Sequence, residues 1–252
     1  MTEKKLLHMM TKAVKRYDMI KPGSSVLVCL SGGKDSYTML KLLNKMRIAS
    51  GHKFNIHSLT LDQGQPGWDD SKLKNWLITN EIKHTILKQD TYKIVTEKIP
   101  EDKTYCALCS RLRRGIIYSF ASTHNFDIIA LGHHRQDAVE SLLMSILYNG
   151  TIQSMPPKLL TNDKKNIVIR PMIFCDEQDI ISYARSEDFP IIPCNLCGSQ
   201  SDLMRNNMKK LLRDLQKQHP NIISNAAHSL QSVKASQLHD DEIWDFSNLE
   251  QG

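Results

Sequence analysis

The fold of this chain is indicated by one stretch, Val26-Leu27-Val28-Cys29-Leu30-Ser31-Gly32-Gly33-Lys34-Asp35-Ser36, in which a continuous apolar run passes directly into a glycine loop. The apolar part has no polar alternation, which is typical of a central strand covered on both faces of a parallel sheet. Apolar residues at helical spacing begin directly after the loop. We therefore predict a buried strand, a tight loop and a helix in succession.

Strand-like and helix-like patterns continue to alternate beyond this unit. The further strand patterns cover residues 56–61, 85–87, 128–131 and 167–169. Alternation of this kind is typical of parallel α/β sheets. We expect an α/β fold with a Rossmann-like parallel five-stranded sheet and a small helical C-terminal extension.

The chain divides into three expected segments. Residues 1–22 carry apolar side chains at helical spacing opposite basic ones, and they predict an N-terminal amphipathic helix. Residues 23–192 contain the alternating patterns and form the expected nucleotide-binding domain. Residues 193–252 show only helical periodicity, followed by a polar tail, and form the expected C-terminal extension.

Composition narrows the class of protein. The 252 residues contain 33 basic and 27 acidic side chains, a net charge of +6 that permits a polyanionic partner without requiring one. No apolar window reaches the roughly 18 residues of a membrane span, and the polar opening lacks the apolar centre of a signal peptide. We expect a cytoplasmic protein without membrane association, in which paired cysteines serve metal or redox chemistry more often than disulfides.

The loop from Ser31 to Ser36 has the chemistry of an anion site. Backbone N–H groups and the start of a helix converge there, the glycines allow close approach, and Lys34 adds a charge. The serine hydroxyls can donate hydrogen bonds, and Asp35 can hold Mg²⁺. The segment matches neither a Walker loop nor a dinucleotide fingerprint. A plain strand-to-helix turn with a capping serine is the simpler alternative.

Two C-x-x-C units, Cys106 with Cys109 and Cys194 with Cys197, form a second candidate site. They lie much farther apart than the roughly 15–20 residues of a compact zinc module, so the two pairs can meet only through the tertiary fold. A zinc site, a redox dithiol and an iron–sulfur cluster on three cysteines all remain open. Three arginines follow the first pair, namely Arg111, Arg113 and Arg114. Their positive charge favours the thiolate form of the cysteines and indicates a site that faces phosphate.

The loop resembles the signature of the ATP pyrophosphatase (PP-loop) superfamily, whose members cleave ATP to AMP and pyrophosphate. The resemblance implies an adenine nucleotide alpha hydrolase-like fold and adenosine near the ends of the first two strands, at Leu30 and Asp62. An equally weighted alternative is that Asp62 caps a turn before Gly64. The implied pyrophosphate contacts are Gly32, Gly33, Lys34 and Ser36, and we expect Ser31 and Asp35 to complete the nucleotide site.

Residues 106–115, 131–135, 155–158 and 190–200 closely resemble the tRNA 2-thiocytidine synthetases, in a match running from about residue 5 to about residue 235. That family implies Mg²⁺-dependent adenylation of the C2 oxygen of cytidine at position 32 of tRNA. Sulfur transfer then proceeds through a [4Fe–4S] cluster. The resemblance also implies tRNA and a cysteine desulfurase as partners, and we expect a homodimer.

The same resemblance assigns ligands to the cluster. Cys106 and Cys109 match two of the three cysteine ligands directly. We take Cys197 as the third because Gly198 beside it lets the backbone pack around a bulky group, and Cys194 is the alternative.

Residues 132–137 follow the fourth predicted strand and lie at the carboxyl end of the sheet, where α/β folds bind ligands. The family usually has two acidic residues there, but Gln136 replaces the first and leaves Asp137 alone. We expect Asp137 to hold Mg²⁺ or to position the base, and His133 to contact phosphate. Lys34 and Arg114 are expected to stabilise the charge that develops during the reaction.

Three other functions compete with this reading. A related PP-loop enzyme could thiolate uridine, and a lysidine-type ligase would need no cysteine quartet. A zinc-stabilised RNA-binding protein without catalysis is the third alternative. Helical spacing also predicts one basic face from Arg205, Lys209 and Arg213 that would follow an RNA backbone.

Overall fold

The computed structural model describes residues 2–98, 106–192 and 202–249. The strands in that part of the chain are β1 (Ser25–Cys29), β2 (Asn55–Asp62), β3 (His84–Lys88), β4 (Ile128–Ala130), β5 (Lys158–Leu160) and β6 (Ile167–Ile169). The helices are α1 (Thr2–Arg16), α2 (Lys34–Ala49), α3 (Ser71–Thr79), α4 (Thr91–Lys98), α5 (Cys106–Thr123), α6 (Arg135–Asn149), α7 (Glu177–Glu187), α8 (Asp202–Gln218) and α9 (Ile222–Ser229), with a short 3₁₀ helix at Ala235–Gln237.

One sheet contains these strands in the order β3-β2-β1-β4-β6-β5. Neighbouring strands are parallel from β3 to β6, and β5 alone runs antiparallel, against β6. The chain extends the sheet from β1 through β2 to β3 and then returns to add β4 on the other side of β1. This reversal opens a crevice beyond the carboxyl ends of β1 and β4, the place where open α/β sheets bind ligands.

The two faces of β1 explain why its sequence is continuously apolar. Val26 and Val28 lie in the larger core, together with buried residues of α1, α2 and α7. Leu27 points to the opposite face, where it packs in a second core with Ala121 of α5. Successive side chains of a strand alternate between faces, so a strand covered by helices on both sides must be apolar throughout.

The opening and closing helices pack directly on the α/β layers. Leu6 and Met10 of α1 are buried in the larger core, at 1% and 0% exposure. A third apolar cluster joins Val139 of α6 to Leu212 of α8 and Ile223 of α9. In the described ranges, no helix is long and apolar enough to cross a membrane.

The α/β class and the parallel arrangement are confirmed, but the predicted count of five strands needs correction. The sixth strand, β5, covers only three residues directly after Pro156-Pro157, too short for its pattern to stand out in the sequence.

Helix α7 is also absent from the sequence prediction. Its signal is present nonetheless, because the Asp176 carboxylate caps the helix by accepting the Gln178 N–H at 2.8 Å. Ile180, Tyr183 and Ala184 follow at helical spacing and are buried.

Candidate active site

The glycine loop lies between the end of β1 and the start of α2. Gly32 has a φ of +85°, and Gly33 is the N-cap of α2. A Cβ on Gly32 would lie 2.9 Å from the Ile192 Cβ, and the Ile192 N–H donates to the Gly32 carbonyl at 3.0 Å. Both the backbone conformation and the close approach therefore require glycine at position 32.

The serines of the loop hold its shape. The Ser36 hydroxyl donates to the Gly33 carbonyl at 2.9 Å and accepts the Ser31 N–H at 3.2 Å. The two hydroxyl oxygens lie 3.2 Å apart. Because the first N–H groups of an α-helix have no partner within the helix, the start of α2 offers hydrogen-bond donors to an anion.

Lys34 begins α2, and its ammonium group lies against two carboxylates. Its Nζ is 3.0 Å from Asp35 Oδ1 and 3.5 Å from Glu177 Oε1. Burial favours the neutral form of Lys34, but the two carboxylates outweigh this effect and raise the pKa above its usual value. Lys34 is therefore a fixed positive charge at neutral pH. Glu177, on α7, was not among the predicted site residues.

The loop after β4 packs against the start of α2. A Cβ on Gly132 would lie 3.3 Å from the Asp35 carbonyl carbon, so glycine allows the two loops to meet. The buried His134 follows, and its Nε2 is 3.4 Å from Asp137 Oδ2 and 3.8 Å from Asp35 Oδ1. The same nitrogen is 3.9 Å from Glu177 Oε1. Carboxylates from three helices thus surround one imidazole.

His133 is mostly buried beside this cluster, and its Nδ1 has no hydrogen-bond partner in the part of the chain that the structure describes. Burial lowers its pKa to about 4, against the opposing effect of Asp137. The imidazole is therefore neutral at pH 7. If His133 contacts phosphate, it does so as a hydrogen-bonding group without a positive charge.

This burial predicts a pH dependence of stability. Between pH 6.5 and about 4 the unfolded chain binds a proton on His133 that the folded chain does not, so the free energy of unfolding should fall as the pH is lowered through that window. Urea unfolding of His133→Asn should show a shallower fall. The exposed His239→Asn serves as the control with the wild-type slope. Equal slopes in both variants would contradict a neutral, buried His133.

Gln136 connects α6 to the start of α7. Its side-chain N–H donates to Asp176 Oδ2 at 3.0 Å, and its Oε1 accepts the Glu177 N–H at 2.9 Å. A carboxylate could not donate to Asp176, so the amide suits this position. Asp176 also pairs with Arg135. Gln136 therefore contacts α7 and forms no acid–base pair with Asp137.

Basic side chains of the C-terminal extension form ion pairs with the carboxylates of Asp137 and Glu140. Arg205 of α8 contacts Glu140 Oε2 at 3.1 Å and Asp137 Oδ1 at 3.4 Å. Lys209, one turn later, lies 3.9 Å from Glu140 Oε1. The Glu140 side chain is 3% exposed, and burial raises its pKa. Two cations of the predicted RNA-binding face thus point toward α6.

Replacing Arg205 with methionine should lower the free energy of unfolding by about 3 kcal/mol, because among the described residues the buried Glu140 carboxylate then keeps only the longer contact to Lys209. Urea unfolding measures this change. Arg213→Met is the matched control, since that exposed arginine donates to the Lys209 backbone carbonyl of its own helix and forms no ion pair with a residue that the structure describes. Adding Glu140→Leu to Arg205→Met should recover part of the loss. Equal effects of the two arginine variants would contradict the stabilising role of the buried pair.

A cavity of about 240 Å³ adjoins the glycine loop. Its walls include Leu30 and Leu61 at the ends of β1 and β2, together with Trp68. These residues lie where the adenosine was predicted. Asp62 is not part of the wall, because its carboxylate accepts the Gly64 N–H at 2.9 Å, which is the turn-capping contact considered for it.

The arginines of α5 face different surroundings. Arg113 lines the cavity. The predicted Arg114 is exposed, and its Nε donates to the Ser110 carbonyl at 3.3 Å. The structure therefore places Arg113 closer to the candidate nucleotide site, a difference of one position that the run of basic residues could not resolve.

Cys109 lies in the first turn of α5, beside the cavity. Its thiol donates to Gln63 Oε1 at 3.2 Å, and Gln63 lines the cavity. Cys106 begins the same helix. The predicted ligand Cys197 and its alternative Cys194 lie outside the described residues. Among the residues that are described, no group of three or more His, Cys, Asp or Glu side chains is arranged to hold a metal ion.

Cys29 and Cys175 have the properties expected of inert thiols. Burial raises the pKa of each to about 12. A thiol with so high a pKa is protonated at neutral pH and is a poor nucleophile or metal ligand.

Comparison with known proteins agrees with this geometry. The PP-loop domain family ATP_bind_3 matches residues 2–215. A tRNA-cytidine(32) 2-sulfurtransferase of Legionella pneumophila (strain Corby) is 58% identical over 250 residues, covering 99% of this chain and 88% of the relative. A tRNA-cytidine(32) 2-sulfurtransferase of Coxiella burnetii (strain Dugway 5J108-111) is 57% identical over 247 residues, covering 98% and 96%.

A solved structure shares the fold. It is the U34-tRNA thiolase NcsA from Methanococcus maripaludis with its [4Fe-4S] cluster, with a TM-score of 0.73 and 21% identity. The alignment covers 99% of this chain and 86% of that one.

Proposed function

Since this chain belongs to the PP-loop domain family and to the tRNA-cytidine(32) 2-sulfurtransferases, we propose that it replaces the C2 oxygen of cytidine 32 in tRNA with sulfur at the expense of ATP. One observation carries the proposal. The glycine loop, the apolar cavity and Cys109 lie together beyond the carboxyl ends of the central strands. Nucleotide activation and sulfur chemistry thus have their residues in one crevice.

ATP binding follows from the shape of that crevice. The adenosine enters the cavity between Leu30, Leu61 and Trp68. The β- and γ-phosphates lie on the loop at Gly32 and Gly33, where backbone N–H groups and the helix start favour an anion.

Charged side chains complete the phosphate site. Lys34 exchanges part of its contact with Asp35 and Glu177 for phosphate oxygens. Asp35 and Asp137 are the proposed ligands of Mg²⁺, which commonly takes one or two carboxylates plus phosphate and water oxygens. Burial opposes ionisation of Asp137, but His134 and other neighbouring donors keep its pKa below the usual value. It is therefore ionised at neutral pH.

The reaction has two steps. The cytidine C2 oxygen attacks the α-phosphorus of ATP, and pyrophosphate leaves onto the glycine loop. A sulfur nucleophile then forms a bond to C2, and the C2–O bond breaks to release AMP. Lys34 stabilises the charge on the departing pyrophosphate, and Arg113 lies where it can neutralise the α-phosphate. Arg114 keeps that role only if its exposed side chain turns inward.

For a [4Fe–4S] cluster we propose Cys106, Cys109 and Cys197 as ligands, with Cys194 as the alternative to Cys197. The surroundings of Cys109 support thiolate chemistry, because a helix start and the nearby Arg113 both stabilise negative sulfur. A bound cluster would supply thiophilic iron for the sulfur that is transferred. We further propose a cysteine desulfurase as the sulfur donor, a homodimeric state and a cytoplasmic location.

The proposal is tested with anaerobically purified protein, ATP, Mg²⁺, a sulfur source and tRNA. We expect pyrophosphate release that requires tRNA, and 2-thiocytidine in the nucleoside digest by mass spectrometry. A tRNA with uridine at position 32 is the matched control and should not be thiolated. A thiouridine or lysine-containing product would favour the related enzymes, and absence of pyrophosphate would favour a non-catalytic RNA-binding protein.

A further inference from the structure

A second and larger cavity, of about 550 Å³, lies on the other side of the start of α6. It runs between α1 and α9 and is closed at one end by the loop Met155-Pro156-Pro157. We call it the α1–α9 groove. The Met-Pro-Pro loop is one of the sequence motifs noted above, and the nucleotide site does not use it.

The charged side chains that line the groove are basic. Lys12 and Arg16 of α1 line it, and none of the described residues in its lining is an aspartate or glutamate. Within the described residues, the ion pairs of α1 are formed by Lys5 and Glu3, so neither cation of the groove is neutralised by a carboxylate. Arg135, which also lines the groove, is paired with Asp176. An anionic ligand would therefore meet two exposed, uncompensated cations.

The walls offer flat apolar surfaces beside these charges. The rings of Tyr17 and Phe174 lie 5.7 Å apart, and the Arg16 guanidinium lies 5.6 Å and 5.9 Å from their respective centroids. Met155 and Pro156 of the closing loop line the same groove. Aromatic rings and a guanidinium plane are the surfaces on which RNA-binding proteins stack unpaired bases. A flat apolar body carrying a phosphate fits this combination.

The position of the groove connects it to the active site. Arg135 and Ala138 of α6 line the groove, while His134 and Asp137 of the same helical turn face the catalytic crevice. The Pro156 carbonyl accepts a hydrogen bond from Arg170 at 2.6 Å, which joins the closing loop to the end of β6. One continuous polynucleotide could thus occupy both sites.

We propose that the α1–α9 groove binds an unpaired nucleotide of the substrate tRNA that flanks the cytidine in the crevice. Its phosphate contacts Lys12 and Arg16, and its base stacks in the space between Phe174 and Met155. This inference rests on the proposed function, which makes tRNA the substrate. It adds a recognition site for the anticodon loop outside the nucleotide-activation machinery.

The test compares Lys12→Glu with Lys15→Glu, which changes the same charge on an exposed face of the same helix outside the groove. Fluorescence anisotropy measures binding of a labelled anticodon stem-loop RNA across a salt series. For Lys12→Glu we expect the Kd to rise at least tenfold and the salt slope to lose about one unit, as for one lost phosphate contact. Lys15→Glu should bind like the wild type. Melting temperature and ATP affinity show whether each variant is folded.

Arg16→Gln is the second variant, because it removes the charge while leaving an amide N–H donor near the side-chain oxygen Oε1 of Gln231, to which Arg16 donates at 2.5 Å. It should weaken RNA binding in the same direction. If both groove variants bind RNA like Lys15→Glu while wild-type protein thiolates tRNA, the groove proposal is wrong and the proposed function stands.

Two other outcomes are distinct from this one. Wild-type protein that makes no 2-thiocytidine would overturn the proposed function, whatever the RNA affinities are. A second outcome is that the groove variants keep their RNA affinity and thiolate tRNA with inorganic sulfide, but fail to do so with a protein sulfur donor. This result would assign the groove to that donor and overturn the nucleotide proposal.

Discussion

Lys34→Ala should reduce tRNA-dependent pyrophosphate release by about 10²- to 10³-fold, while the chain remains folded. The ammonium group lies at the start of α2, held by Asp35 and Glu177, at the place where the leaving pyrophosphate gains charge. Removing it leaves two carboxylates facing the phosphates, so the variant loses an attraction and retains a repulsion. Pyrophosphate release and nucleoside analysis measure the effect directly.

Lys45→Ala is the matched control, because Lys45 lies on the same helix and pairs with Glu3 far from the loop. It should release pyrophosphate at the wild-type rate. Circular dichroism and RNA binding show whether Lys34→Ala is folded and still binds its substrate. Undiminished ATP turnover in Lys34→Ala would remove the phosphate-loop assignment.

Replacing the four paired cysteines one at a time should abolish thiolation in three variants and leave it intact in the fourth. A cluster that leaves one iron without a protein ligand needs three of the four paired thiolates. We expect Cys106→Ser, Cys109→Ser and Cys197→Ser each to lose iron and sulfide together with 2-thiocytidine formation. Cys194→Ser should retain the iron and sulfide as well as 2-thiocytidine formation. Iron and sulfide analysis of anaerobically reconstituted protein, with the visible absorption band, gives a readout that does not depend on activity.

ATP binding provides the internal control for these variants. The glycine loop is a separate element, so each cysteine variant should still bind ATP or release pyrophosphate. Cys175→Ser, at a buried thiol outside the two pairs, should keep the cluster. A single zinc ion per chain without sulfide, lost equally in Cys194→Ser and Cys197→Ser, would contradict the cluster and indicate a closed tetrahedral site.

Much of the candidate site could be predicted because its parts are local. The apolar run of β1 must be buried on both faces, and only a glycine tolerates the backbone of position 32. The loop therefore follows from consecutive residues. The first cysteine pair is local in the same sense, since a three-residue spacing within α5 brings Cys106 and Cys109 to the same helical turn.

Other features involve residues far apart in the chain. Glu177 reaches Lys34 because α7 packs on α2, and Arg205 reaches Glu140 because α8 packs on α6. Helical spacing alone placed Arg205 on a basic helix face that was predicted to follow an RNA backbone. Spacing describes the relative direction of side chains on one helix, but it does not specify which direction faces another helix.

Local sequence patterns predicted the central alternation of strands and helices, the glycine loop and a candidate site at the two C-x-x-C units, because hydrogen bonding and periodic burial act over neighbouring residues. Tertiary packing was needed to show that the sheet has a sixth, antiparallel strand, that Arg113 lines the cavity, and that Gln136 connects to α7. It also decided that the α1–α9 groove lies beside the crevice. These features depend on which surfaces pack together, and packing is set by the shape and burial of whole elements distant in sequence.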